Sequence, residues 1–113
     1  MSSTGGTAKN EYLVIIPDHA NSLQKRLAVR PKHFEGLAPH IASGSVVFGG
    51  ATLSRQPDEG ETLDMNGSTM LIKAEDEAAV RAWLANDAYT KGGVWNVDEA
   101  KIYPFRCSVR TAL

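Results

Sequence analysis

The sequence predicts one α+β domain in which two helices cover one face of a four-stranded antiparallel sheet. Three observations lead there. Short β-rich runs and longer helical stretches alternate in the order β-α-β-β-α-β. The first β-rich run is apolar on both of its faces. The chain has 113 residues, 42% of them apolar, which suffices for one modest core and not for two.

Residues 1–10 are polar and contain Gly5-Gly6, so they are expected to form a flexible tail ahead of a single domain over 11–113. Glu11 to Pro17 reads as the first strand. Tyr12, Val14 and Ile16 lie on one side and Leu13 and Ile15 on the other. A strand with one wet face should alternate, so both faces of this one need a cover. Ser22 to about Ser43 is helical, with Leu23 and Leu27 four apart and Phe34, Leu37, Ala38 and Ile41 following at threes and fours. Pro31 either kinks one long helix or opens a second, Pro39 adds a distortion, and Gly44 is placed to stop it.

Ser45 to Leu53 reads as the second strand, with Gly49-Gly50 inside it as a bulge or a close approach. A polar loop, Ser54 to Asn66, leads to a third strand at Ser68 to Lys73. Glu75, Asp76 and Glu77 open a second helix with acids at the positive end of its dipole, and Ala79, Val80, Trp83 and Leu84 form its apolar stripe. Asn86 to Gly93 is turn-rich. Lys101 to Val109 reads as the last strand, with Pro104 marking an edge or bulge. This layout is the ferredoxin-like unit. It leaves one sheet face bare, and with no more chain to cover it a second copy is the simplest cover, giving a homodimer or a higher oligomer.

Composition excludes several functions. The formal net charge is −1, with acids and bases interspersed, which argues against nucleic acid as a partner. No apolar run approaches the roughly 20 residues of a membrane span, and the first ten residues lack the apolar core of a signal peptide. The single Cys107 cannot pair within the chain, which fits a reducing, cytoplasmic setting. His33 and His40 are seven residues apart, too far to share one ion, and His19 lies in a loop. No metal site is expected, and His19 and His40 are expected at the surface.

Two residues stand out as a chemical pair. Asp87 continues the stripe of Trp83 and Leu84, so it should point inward, at the end of a helix that disfavours an anion. A buried carboxylate there wants a cationic or hydrogen-bonding partner. His33 shares a helix face with Leu37. A His–Asp pair suits general acid–base work, and the alternative is a buried structural hydrogen bond. Arg30 either binds an anionic group or is a solvated surface residue, and Arg26 is a weaker candidate for the same role. Gly49 and Gly50 admit either a ligand or tight packing. Tyr12, Phe48, Tyr89, Trp95, Tyr103 and Phe105 either line a pocket or fill the core and a dimer interface. Ser45 and Ser68 have no nucleophile motif around them, and Cys107 reads as a small buried residue.

EYLVIIPD, RLAVRPKH, GSVVFGGATL, NDAYTKGGVW and IYPFRC, in that order and spacing, resemble the YCII-related (YciI-like) family over roughly residues 11–110. The resemblance implies the dimeric α+β barrel arrangement and a small enzyme without metal or organic coenzyme. It places the recurrent site residues at His33 and Asp87. The family more often has Asp-Pro where this chain has Asp87-Ala88, a difference that bears on the rigidity of the Asp turn. The functions this admits are a coenzyme-independent lyase or isomerase with Arg30, Gly49, Gly50, Tyr89 and Trp95 around the substrate, a non-catalytic binding or dimerisation module, and, by fold analogy, a cofactor-free oxygenase.

Overall fold

The structure, a computed structural model, describes residues 10–113. Strand β1 (Asn10–Pro17) is followed by helix α1 (Leu23–Ala42), strands β2 (Val46–Leu53) and β3 (Met65–Ala74), helix α2 (Glu77–Asn86), a one-turn helix α3 (Ala88–Lys91) and strand β4 (Lys101–Phe105). The sheet order is β2-β3-β1-β4 with every pairing antiparallel, the ferredoxin-like arrangement expected from the sequence. The tail expected over 1–10 lies outside the described residues as far as position 9; Asn10 already belongs to β1, paired with Ala74.

Several boundaries differ from expectation. Helix α1 runs unbroken through Pro31 and Pro39. Both prolines sit on its exposed side, where the carbonyls they leave unbonded face water. Gly44, at φ 83°, closes the helix. Strand β3 starts three residues earlier than its β-rich core, because Met65 to Gly67 pair with β1 and β2. Strand β4 ends at Phe105, not Val109, since beyond it the chain bonds to a side chain: Cys107 N donates to Glu11 Oε1 at 2.8 Å. In α2, Asp76 is the N-cap, accepting from Ala79 N at 2.8 Å, so the run of acids straddles the helix start.

The core lies between the sheet and α2, α3 and the segment after it. Tyr12, Val14, Ile16, Met70 and Ile72 from the strands meet Val80, Leu84, Tyr89, Val94 and Trp95. The other sheet face carries Leu13, Ile15, Phe48, Tyr103 and Phe105, the last four being large apolar side chains at 40–45% exposure. The two-sided character of β1 is therefore real, and the helices cover one side of it. No helix among the described residues is long and apolar enough to cross a membrane.

Candidate active site

The buried face of α1 shares only Leu37 with its apolar stripe. Its buried residues are Arg26, His33 and Leu37, while Leu27, Phe34 and Ile41 are 46–54% exposed. Positions 26, 30, 33 and 37 fall on one side of a helix, and that side faces the β2–β3 end of the sheet. With Arg26 and His33 on its buried side in place of close-packed aliphatics, α1 leaves a cleft of about 390 Å³ between itself and the sheet. Its walls include Arg26, Arg30, His33, Phe34, Ser68 and Tyr89, and its floor includes Gly49 and Gly50.

Deep in the cleft wall, His33 Nδ1 lies 2.8 Å from Asp87 Oδ2, and both side chains are more than nine-tenths buried. Asp87 does not suffer the unfavourable helix end expected for it. It terminates α2 and at the same time caps α3, so that Oδ2 also accepts from Tyr89 N at 2.8 Å. The cap forms with Ala88 as the first residue of α3. The His33 ring stacks on Tyr89 at 3.9 Å between centroids and meets Phe34 and Trp95 edge-on at 5.4 and 5.5 Å. Aromatic contacts on three sides fix the plane of the imidazole. An ionised carboxylate only accepts hydrogen bonds, so Nδ1 is the donor to it, and the tautomer with its proton there leaves the Nε2 lone pair free.

A second polar cluster adjoins the first. Arg26 is 3% exposed; its Nη1 lies 2.8 and 2.9 Å from the two oxygens of Asp18, and its Nη2 donates to Ser68 Oγ at 2.8 Å. Trp95 Nε1 donates to the same Oγ at 3.1 Å, and the guanidinium lies 4.7 Å from the Tyr89 ring centre. Burial pushes the Asp18 carboxyl above its ordinary value, with Arg26 and His19 pulling the other way. Burial likewise raises Tyr89, keeping its hydroxyl neutral at physiological pH.

The structure therefore brings His33, Arg30, Gly49, Gly50 and Tyr89 together at one cleft, with Asp87 bonded to His33 behind its wall. Trp95 is the exception: at 1% exposure it lies behind Ser68 as part of the core and does not line the cleft, because its indole N–H is used on a serine. Arg30 is exposed at the mouth, with its guanidinium 4.9 Å from the Phe34 ring centre. Arg26, rated the weaker arginine by sequence, is the buried one. Sequence reasoning weighs Ser68 only as a nucleophile and gives Asp18 no role; the usable signal for their partner Arg26 is the spacing of 26, 30, 33 and 37, which puts Arg26 on the same side of α1 as His33. His40 is half-buried, edge-on to Trp83 at 5.6 Å, not a free surface residue, whereas His19 is exposed.

Fold and site together define a small α+β domain with a buried histidine–carboxylate pair opening onto an apolar cleft. The chain belongs to the YCII-related domain family, whose model matches residues 10–106. It is 39% identical over 100 residues to fusaric acid biosynthesis protein 2 of Gibberella fujikuroi, covering 88% of this chain and 96% of that protein. It is 40% identical over 100 residues to aspartate kinase FUB3 of Fusarium oxysporum, but spans only 18% of that protein's length. Among solved structures it superposes on 5-chloro-2-hydroxyhydroquinone dehydrochlorinase (TftG) from Burkholderia phenoliruptrix, in complex with 2,5-dihydroxybenzoquinone. The TM-score is 0.74 at 26% identity, covering 87% of this chain and 95% of that one.

Proposed function

We propose that this chain is a small enzyme that uses His33 and Asp87 for general acid–base chemistry on a small aromatic or quinonoid substrate, with no metal or organic coenzyme. The single observation behind this is the 2.8 Å contact of His33 with Asp87 in the wall of an apolar cleft. Asp87 holds the tautomer, so Nε2 takes a proton from a substrate carbon or hydroxyl and returns it elsewhere. If a leaving group departs with its bonding electrons the outcome is elimination or dehydration; if the proton goes back to another atom it is tautomerisation. Arg30, Gly49, Gly50 and Tyr89 are the proposed substrate contacts. The flat glycine floor suits a ring, and the likeness to a dehydrochlorinase with a bound quinone supports the substrate class. The acting unit we propose is a homodimer closed over the helix-free sheet face, in the cytoplasm, a setting that suits the single cysteine.

The test is chloride release from 5-chloro-2-hydroxyhydroquinone. Wild-type protein should release chloride, and His33→Gln should slow it by roughly 10²–10⁴, the range for a lost general base. An equal rate in the variant would remove His33 from the chemistry. No release by the wild type would remove this substrate class.

A further inference from the structure

We infer that the substrate carries an aliphatic substituent on its ring, and that Leu37, Ile41 and Val46 hold this substituent in the half of the cleft remote from Arg26. The inference rests on the ring-binding function proposed above and names a part of the substrate that the polar residues leave unaccounted for.

The two walls of the cleft change character in the same direction. On α1, His33, Leu37 and Ile41 follow at four-residue intervals and form one row along the helix. The lining groups of α1 able to make hydrogen bonds stop at His33; beyond it come Leu37 and Ile41. On the sheet, Ala51 pairs with Ser68, Gly49 with Met70 and Val46 with Ile72. Ser68 is the one polar side chain that the strands contribute to the lining, among the described residues, and Arg26 donates to it. Both walls are therefore polar at the Ser68 end. Both are hydrocarbon at the other end, where α1 stops at Ala42 and β2 starts at Val46.

Size and exposure say what that second half accepts. A cavity of about 150 Å³ takes a benzene ring, so a ring beside His33 fills less than half of the 390 Å³. From His33 to Ile41 the row extends two turns, roughly 12 Å. Leu37 and Val46 are 7% and 8% exposed, while Ile41, at the rim, is 54% exposed although it lines the cavity. An uncovered apolar rim over an apolar floor, continuous with a ligand cleft, is suited to a hydrocarbon group of the same ligand. The aromatic contacts of the cleft gather around His33, through Tyr89 and Phe34. The remote half is aliphatic, and a charged group at the end of the substituent would find no partner among the residues lining it.

The probes are 2,5-dihydroxybenzoquinone and its 3-methyl, 3-propyl and 3-pentyl derivatives, titrated against the full chain and followed by the visible band of the quinone. The two C–H positions of the parent ring are equivalent, so there is a single series. Each added methylene should tighten binding about two- to fourfold, the gain for a buried methylene. A chain ending in a carboxylate should lose that gain. Ile41→Ser should flatten the series. Leu27→Ser should not, since Leu27 is an equally exposed apolar residue of α1 that lies outside the cleft. Equal affinity across the series would overturn the inference, as would a slope that survives Ile41→Ser, or absence of binding by every member. Chloride release from 5-chloro-2-hydroxyhydroquinone, which carries no alkyl group, judges the acid–base function separately, whatever the series shows.

Discussion

Asp87→Ala tests how much of the site hangs on one oxygen. Oδ2 accepts from both His33 Nδ1 and Tyr89 N, each at 2.8 Å, and the carboxylate is buried. Alanine leaves two donors without an acceptor. Each buried unsatisfied donor costs about 1–3 kcal/mol, so the variant should lose about 2–6 kcal/mol, a large part of the stability of a domain this size. Asparagine retains one carbonyl oxygen able to accept from both, and should cost only about 1 kcal/mol through loss of charge assistance. Urea unfolding at one fixed protein concentration, followed by tryptophan fluorescence, reads both values. A cycle with His33→Ala should give a coupling of about 0.5–3 kcal/mol between the two positions. An alanine variant losing less than about 1 kcal/mol, or costing no more than asparagine, would refute the account of Asp87 as a shared acceptor.

Ala88→Pro should raise stability by about 0.4–1 kcal/mol, since Ala88 is the first residue of α3 and Asp87, at φ −67° and ψ 150°, already has the conformation a residue before proline adopts. A lowered melting temperature would show that the turn cannot take the ring. Ile15→Lys, on the helix-free sheet face at 40% exposure, should convert the proposed dimer to monomer, because an unpaired charge in an interface costs several kcal/mol. Sedimentation showing one unchanged mass for both proteins would dismiss that interface.

The order of elements and the sheet were legible because the strands carry strong local signals. Tyr12 to Ile16 is an uninterrupted apolar run, and Asp76 to Leu84 combines a cap, acids at the dipole's positive end and a stripe. The His33–Asp87 pair was legible as two inward-facing groups in need of partners. Their actual geometry was not. That one residue could end α2 and cap α3 depends on a helix of four residues, too short to leave a periodic pattern. The strand limits at Met65 and Phe105 depend on pairing partners far away in the chain, which no local window contains.

The larger misreading concerns α1, and its cause is physical. Apolar periodicity identifies the core face only when the core is what a helix packs on. Here the helix presents Arg26, His33 and Leu37 to the sheet, while Leu27 is exposed and Phe34 and Ile41, though about half exposed, line the cleft. The apolar residues therefore find Leu37, and with it His33, but leave Arg26 looking solvated. A buried arginine is tolerated only if its donors are met, and Asp18 and Ser68, one at the end of β1 and the other within β3, meet three contacts of Arg26. These partners come from sequence positions 8 and 42 residues away, which is why the chain's linear pattern cannot reveal them. The same arrangement keeps α1 from closing onto β2, because charged and aromatic side chains stand where aliphatic knobs would interdigitate. The cleft is thus a consequence of what the helix turns inward, and the residues that line it include the ones proposed to act on what enters it.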